Sequence, residues 1–384
     1  MSAEHALVTR ARAFAQEVLR PQAGQFDREQ GVPRAVLQQM AQEGFLGAPL
    51  PQEYGGAGLD ALNWGWLSHE IGKGCSSARA LLTVHSSLVG ETLARLGNAA
   101  QKEKYLPRMA RGELLACFAL TEPEVGSDAA SAKTSYQLQA DGSYQISGHK
   151  KWITYGALAD LMLVFANGEQ GGCAFLVERG AAGLETRPMR DLLASRGAHL
   201  AYIDFANTPV AASAMLGKPG AGFSFVANTA LFYGRCSIAW AGVSLLEAAL
   251  EEMATYARNR EQGGKKLRQH QMIQHMIADA VSAAHSARAL CERVARMRME
   301  NNDDAVTEAN IAKYHSSTLA MKVCTEAVQL FGGNGIAPEY PVERLFREAK
   351  VLEIIEGSSQ IQQQMISDYA VRRYRLPGKG RSAQ

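Results

Sequence analysis

The stretch LEIIEGSSQIQ, Leu352–Gln362, lies where one helical pattern ends and another begins. Ser359 followed by Gln362 has the spacing of a capping box, which predicts that the second helix begins here. Glu356 is therefore predicted to lie in the short joint between two helices. The first helix is predicted from an apolar repeat with i, i+3, i+4, i+7 spacing, formed by Val342, Leu345, Phe346, Ala349 and Leu352.

The neighbours of Glu356 predict an apolar environment for its carboxylate. Ile354 and Ile355 precede it and Gly357 follows it, so we expect the side chain to project into an apolar space beside a flexible backbone. Desolvation raises the pKa of a carboxyl group and suits it to accept a proton. The alternative is a solvated glutamate in a helix–helix turn, which is the commoner environment of an isolated carboxylate.

The composition excludes several classes of protein. A chain of 384 residues, of which 47% are hydrophobic and 20% charged, is long enough for two or three packed units. The net charge of +2 and the lack of a long Lys and Arg run argue against nucleic acid as the main partner. No apolar stretch reaches the ~20 residues of a membrane span, and the N-terminus has no apolar signal core.

The cysteines and histidines indicate a reduced protein without a metal. The six cysteines show no CxxC spacing, as expected of reduced thiols in the cytoplasm. None of the nine histidines pairs with Cys or His at ligand spacing, so no metal site is predicted.

The hydrophobic pattern divides the chain into three parts. Residues 1–115 show helical stripes, residues 116–218 show short apolar runs between Gly, Asp and Asn turns, and residues 219–373 show long helical periods. This pattern predicts an α+β fold with an N-terminal helical domain, a middle antiparallel β-barrel domain, a C-terminal four-helix bundle and a flexible basic tail, residues 374–384. The β runs are LLACFAL, YQISGHKKWI, LMLVFA, GCAFLVE and YIDF, and the long helices are predicted at 223–256, 271–301 and 307–331.

Three loops carry groups that bind planar or phosphorylated ligands. Cys117–Asp128 ends a strand and supplies hydroxyls and free backbone amides. His149–Thr154 supplies an aromatic plane and a hydroxyl, although a buried tryptophan is the alternative. Gln329–Gly335 follows a helix, and its glycines allow a ligand to approach the backbone, although a helix C-cap explains the same pattern.

Taken together and in this order, these segments resemble the acyl-CoA dehydrogenase family. The matching stretches are TEPEVGSD (121–128), KKWIT (150–154), QLFGGNGIAPEYPVERLFREAK (329–350) and IIEGSSQIQ (354–362), and the helix–sheet–helix layout extends the likeness over the whole chain. Fold and family do not by themselves determine the substrate.

The resemblance implies a bound FAD and the removal of hydrogen from the α and β carbons of an acyl thioester. Glu356 matches the base that takes the α proton, while the β hydrogen leaves as hydride to flavin N5. That proton is weakly acidic, so the base must be close and desolvated, and donors such as the Gly357 amide must polarise the thioester carbonyl.

The resemblance also assigns residues to the cofactor. Arg260 matches an arginine that reaches the cofactor of a neighbouring subunit, which implies a homodimer or homotetramer. The other matches to the family's flavin, pyrophosphate and adenine contacts are Phe118, Leu120, Thr121, Gly126, Ser127, Trp152, Ile153, Thr154, His270, Gln271, Gln329, Gly332, Gly333, Ser358 and Gln360.

Two departures from the family pattern concern the substrate. Phe232 stands where most members have an acidic residue three places before the arginine matched by Arg235, and Gly263 replaces a phenylalanine. The first change weakens the case for free CoA. LFYGRCSIAWAGV and CSSARALLTVHSSLV are similar to the dehydrogenases that act on acyl carrier proteins to make hydroxymalonyl extender units for polyketides. The implied substrate contacts are Ser127, Phe232, Tyr233, Arg235 and Gly357.

Alternative functions remain at this level. An ordinary short- or medium-chain acyl-CoA dehydrogenase has the same motifs, and so does a family relic that binds flavin or acyl chains without turnover. A third alternative uses the flavin to oxidise an alcohol or to activate oxygen. The retained Glu356 favours a dehydrogenase, whose electron acceptor is an electron-transfer flavoprotein or oxygen.

Overall fold

The computed structural model describes residues 5–374, and helices dominate its N-terminal part. Most of the predicted tail, 375–384, lies outside the described residues. The loop Pro49–Asp60 separates two groups of helices, and the Asp60 carboxylate caps the second by accepting from Asn63 N at 2.8 Å. The helices are α1 Ala6–Phe14, α2 Arg20–Glu29, α3 Arg34–Gln42, α4 Ala61–Gly74, α5 Ser76–Leu81, α6 Thr92–Leu96 and α7 Ala99–Ala110, with π-helical segments at Ala15–Leu19 and Leu82–Glu91.

A sheet of eight strands follows within the described residues, in the order β6-β7-β3-β2-β4-β5-β8, with β1 paired to β4. The run YQISGHKKWI coincides with β3. Most pairs are antiparallel as predicted, but β1 pairs with β4 in parallel over four residues, and β2 pairs with β4 in parallel at Ser135 and Asn167. The strands are β1 Ala116–Ala119, β2 Ser135–Leu138, β3 Tyr144–Ile153, β4 Leu161–Gly168, β5 Gly171–Glu178, β6 Leu184–Pro188, β7 Ala201–Val210 and β8 Met215–Leu216.

Long helices form the C-terminal part. A π-helical segment, Gly222–Ala227, stands where the first long helix was predicted to begin, so α8 starts at Asn228 instead of Phe223. The predicted helix–sheet–helix order is confirmed. The elements are α8 Asn228–Asn259, β9 Glu261–Gln262, β10 Lys265–Lys266, α9 Gln271–Met299, α10 Ala305–Phe331, α11 Val342–Leu352 and α12 Ser359–Arg373.

The sheet is fastened to the N-terminal helices by buried polar contacts. His85 Nδ1 accepts from Ala116 N at 3.0 Å, and burial lowers the pKa of His85 to about 4, which keeps the ring neutral. Tyr155 donates from its hydroxyl to Ser77 O at 2.9 Å. The first contact joins β1 to the π-helical segment Leu82–Glu91, and the second holds the end of β3 against the start of α5.

Helix α8 is central to the C-terminal part, since it packs against α4, α9 and α10. Helices α8 and α10 run parallel, because Arg235 contacts Asn310 near their starts and Tyr256 stacks on Phe331 near their ends. Among residues 5–374, no helix is long and apolar enough to cross a membrane, and no cluster of three or more metal-ligating side chains is found.

Candidate active site

Glu356 lies in the joint between α11 and α12, as predicted, and its backbone is left-handed. Its φ is +55° and that of Gly357 is +88°, a conformation that glycine tolerates and a non-glycine residue rarely adopts. Of the two isoleucines behind the prediction, Ile354 is 59% exposed, whereas Ile355 is half-buried against the C-terminal core. Other elements must therefore remove water from the Glu356 carboxylate.

Helix α8 makes room for the Glu356 carboxylate at Gly234. A Cβ at Gly234 would overlap Oε2 of Glu356 and lie 2.7 Å from Leu88 Cδ2. The missing side chain therefore lets the carboxylate approach the α8 backbone, with Leu88 on the other side. This contact joins residues 122 positions apart in the chain.

Glu356 is half-buried, and Oε2 of its carboxylate is fully enclosed. Its Oε2 has no hydrogen-bond partner within the described part of the chain. Burial raises the pKa of Glu356 to about 7, and the positive charges of Arg235, Lys313 and Arg79 oppose that rise. The group can therefore be either protonated or ionised near neutral pH, which suits a general base.

Three side chains hold the backbone of this joint. Lys313 Nζ donates to Gly357 O at 2.7 Å, and Arg235 Nε donates to Glu356 O at 3.3 Å. Gln362 Nε2 donates to both carbonyls, at 3.1 Å to Glu356 O and 3.3 Å to Gly357 O. The joint is thus fixed from α8, α10 and α12.

The predicted capping box is wrong in its residues. Ser358, not Ser359, is the N-cap of α12, and its hydroxyl accepts from Ile361 N at 3.4 Å. Gln362 does not complete a box because its amide is used by the Glu356 and Gly357 carbonyls. Ser358 and Gln360 nevertheless stand next to the joint.

The predicted flavin residues of the sheet form one group at the ends of β1 and β3. Lys151 N donates to Thr121 O at 2.9 Å, which brings the two loops together. Phe118, Leu120 and Ile153 are buried in the core, so their side chains mainly support the loops. Gly126 and Ser127 are exposed, and Thr154 is half-buried.

Trp152 is not the buried tryptophan of the alternative prediction. Its side chain is 46% exposed and its φ is +63°. Lys151 Nζ lies 4.7 Å from the centre of its ring. A strained residue that presents an aromatic plane to solvent is typical of a ligand contact.

A second group of predicted cofactor residues lies at the far end of the C-terminal helices. Arg260 is the C-cap of α8, 26 residues after Gly234, which corresponds to ~39 Å at 1.5 Å per residue. His270 and Gln271 begin α9, and His270 Nε2 pairs with Gln262 O at 3.0 Å. Gln329, Gly332 and Gly333 end α10 beside them and are exposed.

Each of the two groups can accommodate one end of an FAD molecule. A Cβ at Gly126, Gly332 or Gly333 would meet no heavy atom within 4 Å, so each backbone is open to a ligand. Trp152 offers a plane for the flavin ring, and exposed Arg260 offers a positive charge for a phosphate.

The residues predicted to contact the substrate have different surroundings in the structure. Phe232 is half-buried with its ring 5.5 Å from that of Tyr233, and Tyr233 lies under the Arg298 guanidinium at 4.5 Å. Arg235 is 7% exposed and binds Glu356 O and Asn310 Oδ1, so it supports the Glu356 joint.

Sequence reasoning missed several residues of this site. Lys150 and Glu122 form a fully buried ion pair beneath Thr121, with Nζ and Oε1 2.8 Å apart. Lys313 and Gly234 were also missed. A lysine within a run of small and apolar residues is a weak signal, and a glycine inside a helix gives no indication of which side chain occupies the free space.

Family models match nearly the whole chain. The acyl-CoA dehydrogenase N-terminal, middle and C-terminal domain models match residues 2–113, 117–208 and 220–370. The short-chain specific acyl-CoA dehydrogenase of Clostridium acetobutylicum is 36% identical over 93% of this chain and 94% of its own length.

Solved structures include enzymes for different thioesters. Butyryl-CoA dehydrogenase from Megasphaera elsdenii superposes with a TM-score of 0.93 at 32% identity, covering 97% of this chain and 99% of that one. The prolyl acyl carrier protein oxidase AnaB gives 0.91 at 30% identity over 96% and 99%. FkbI, for biosynthesis of the methoxymalonyl extender unit of the polyketide Fk520, gives 0.88 at 30% over 95% and 99%.

Proposed function

Because the chain belongs to the acyl-CoA dehydrogenase family, whose cofactor is FAD, we propose that Glu356 takes the α proton of an acyl thioester that this enzyme oxidises between its α and β carbons. The observation that carries this role is the buried, unpartnered Oε2 of Glu356 with a pKa of about 7. A base in water would keep its hydration shell, whereas Oε2 of Glu356 is enclosed and the backbone that carries the side chain is fixed from three helices.

The rest of the site supports the same reaction. When bound, FAD accepts the β hydrogen as a hydride. Trp152 and Thr154 face the ring, Thr121 and Ser127 lie on the neighbouring loop, and the Gly357 amide polarises the thioester carbonyl.

We further propose that the acyl group is carried by an acyl carrier protein in secondary metabolism. Phe232 supports this proposal, because an aromatic ring stands where an acidic residue is usual. The likeness to AnaB and FkbI supports it as well. An acyl-CoA substrate is the second candidate, and the short-chain relative favours it.

The shared cofactor site requires a second subunit in this proposal. Arg260, Gln329 and Gly333 lie too far from Gly234 along the parallel helices to reach the same cofactor as Trp152 of their own chain. A homodimer or homotetramer brings these residues to the partner's cofactor. The proposed electron acceptor of the enzyme is an electron-transfer flavoprotein or oxygen.

Anaerobic bleaching of the flavin absorbance tests the substrate proposal. The same acyl groups are added on CoA and on a holo acyl carrier protein. Bleaching only by the acyl groups on the carrier protein supports the carrier-protein proposal. Bleaching by the acyl-CoA thioesters indicates ordinary acyl-CoA oxidation. If neither bleaches the flavin, the dehydrogenase proposal is wrong.

A further inference from the structure

Lys150 and Glu122 form a buried ion pair beneath the loops that carry the predicted flavin residues, and the reaction described above does not use it. Their side chains are 0% and 4% exposed. Lys150 Nζ donates to Glu122 Oε1 at 2.8 Å and to Leu120 O at 3.1 Å. Burying two charges is costly unless their hydrogen bonds are satisfied, and here one contact joins β3 to the end of β1.

The Glu122 carboxylate closes the base of an exposed loop. Residues 123–131, here named the arch, connect β1 to β2 and include Gly126 and Ser127. Glu122 Oε2 accepts from Lys133 N at 2.6 Å, and Oε1 accepts from Thr134 N at 3.0 Å. The arch therefore leaves from Glu122 and returns to the carboxylate of the same residue.

Lys150 connects this base to the strand that carries the other flavin residues. Trp152 follows two residues later in the chain, and the intervening amide, Lys151 N, donates to Thr121 O at 2.9 Å. The ammonium group of Lys150 and this amide thus hold the base of the arch against β3. They fix the distance between Trp152 and the arch.

Stability alone does not account for this ion pair. A buried ion pair contributes little net free energy compared with apolar residues of the same volume. An apolar residue at position 122, however, could not accept hydrogen bonds from two backbone amides and an ammonium group at once. A second ion pair of this region, Lys133 with Glu124, is 71% and 67% exposed and is expected to contribute little.

We propose that Glu122 and Lys150 are positioning residues for FAD, which fix the arch relative to β3 so that the flavin ring is bound in one orientation. A binding site that is rigid before its ligand arrives loses less entropy on binding. This inference rests on the proposed function only in placing the flavin ring at these loops. The pair acts through the arch, and no chemical step is assigned to it.

Glu122→Gln tests this role with little change in volume. The amide keeps one acceptor oxygen, but its NH2 group cannot accept from a backbone amide or from Lys150. FAD is removed from the full-length variant and titrated back, with the quenching of flavin fluorescence as the signal. We expect FAD to bind at least ~10-fold more weakly, the size of a charge-assisted hydrogen bond. The visible circular dichroism of the bound flavin should decrease, because the ring is no longer held in one orientation.

Two further variants separate positioning from general stability. Glu124→Gln removes the exposed ion pair at the arch and should leave FAD affinity and flavin dichroism unchanged. Glu122→Asp keeps the charge but shortens its reach, so it should fold and still weaken FAD binding, which covers the case in which Glu122→Gln does not fold.

The thermal unfolding of each apoprotein completes the comparison. A Glu122→Asp or Glu122→Gln protein that has a lower Tm but the FAD affinity and flavin dichroism of the unchanged protein would overturn the inference, because the pair would then serve stability alone. All of these measurements are made without substrate. Their failure would leave the oxidation of a thioester by this enzyme standing, and the bleaching experiment tests that proposal separately.

Discussion

The Glu356 carboxylate combines burial with three nearby positive charges. Burial alone favours the neutral acid, whereas Arg235, Lys313 and Arg79 favour the ionised base. The resulting pKa of about 7 lies far above the usual value of a glutamate. The residue is therefore poised between the two protonation states at the pH of the cell.

This balance predicts the pH dependence of flavin reduction. A base works only when ionised, so kcat/KM should rise as the pH increases through about 7 and level off above it. Glu356→Gln should keep the bound flavin, lose at least ~10²-fold in rate and lose this pH dependence. Stopped-flow reduction from pH 5.5 to 8.5 measures both, and near-normal reduction of the Gln variant would remove Glu356 from the mechanism.

Gly234 is predicted to be essential for the position of the base. A methyl group at Gly234 overlaps Oε2 of Glu356, so Gly234→Ala should displace the carboxylate and lower the rate by ~10²-fold, the cost of a misplacement of about 1 Å. Gly180→Ala is the matched control, because its Cβ meets no heavy atom within 4 Å. Equal rates in both variants would show that the carboxylate does not need this space.

At the scale of elements, the joint between α11 and α12 is held by side chains from other helices. The left-handed backbone of Glu356 costs free energy, and contacts within the joint itself do not offset this cost. The Glu356 and Gly357 carbonyls accept from Lys313, Arg235 and Gln362, so the strained backbone persists because the surrounding helices fix it. Burial lowers the pKa of Lys313 to about 8, which also indicates that little water reaches this region.

Lys313→Met should loosen the joint. The substitution leaves Gly357 O without its charged donor and removes a positive charge beside Glu356. We expect a loss of ~10-fold or more in flavin reduction, and a shift of the pH midpoint to higher values because the carboxylate loses a cation. Lys322→Met, at an exposed position of the same helix, is the control, and an unchanged midpoint in Lys313→Met would argue against the electrostatic role.

At the scale of the whole molecule, a buried charge cluster joins the N-terminal and C-terminal helices. His69 of α4 has Nε2 3.1 Å from Glu247 Oε2 of α8 and Nδ1 3.8 Å from Glu70 Oε1. Burial favours the neutral ring, but the two carboxylates outweigh it and raise the pKa of His69. Burial also opposes the ionised form of Glu70, yet His69 and Arg12 lower the pKa of Glu70 to about 2.

This cluster should make the stability of the fold decrease both at low pH and at high pH. In the unfolded chain the pKa of His69 is about 6.5. Because folding raises this pKa, His69 stabilises the folded protein fully below pH ~6.5, and this stabilisation is lost as the pH rises through the pKa of the folded state. The lowered pKa of Glu70 contributes above its unfolded value, near 4.5, and is lost as the pH falls. We therefore expect the Tm contribution of the cluster to be greatest between these values, and His69→Gln should flatten its decline above pH 6.5. An identical Tm profile in the variant would contradict this assignment.

The ~39 Å along α8 between Gly234, which lies beside Glu356, and Arg260 predicts an oligomer. Light scattering of the FAD-loaded protein should show a dimer or tetramer, and Arg260→Ala should weaken FAD binding without changing the Glu356 joint. Exposed Lys265→Ala on the same hairpin is the control. A stable monomer that retains FAD would contradict the shared site.

The sequence by itself determined the helix–sheet–helix order, the extent of β3 and the place of Glu356 between two helices, but it did not reveal β2, β6 and β8. Hydrophobic periods of 3.6 and 2 residues are local properties, so a single chain reveals them. The helix starts were less accurate: α8 begins after a π-helical segment, and Ser358 caps α12. Such ends depend on which partners the neighbouring backbone groups find.

Only the tertiary structure decided the environment of the base. Helices that are distant from Glu356 in the chain supply the space at Gly234, the donors Lys313 and Arg235, and the positive charge of Arg79. The exposed Ile354 shows that this sequence neighbour did not supply the desolvation. The pKa of a carboxyl group depends on water and charge within a few ångströms, and those surroundings exist only after the helices have packed together.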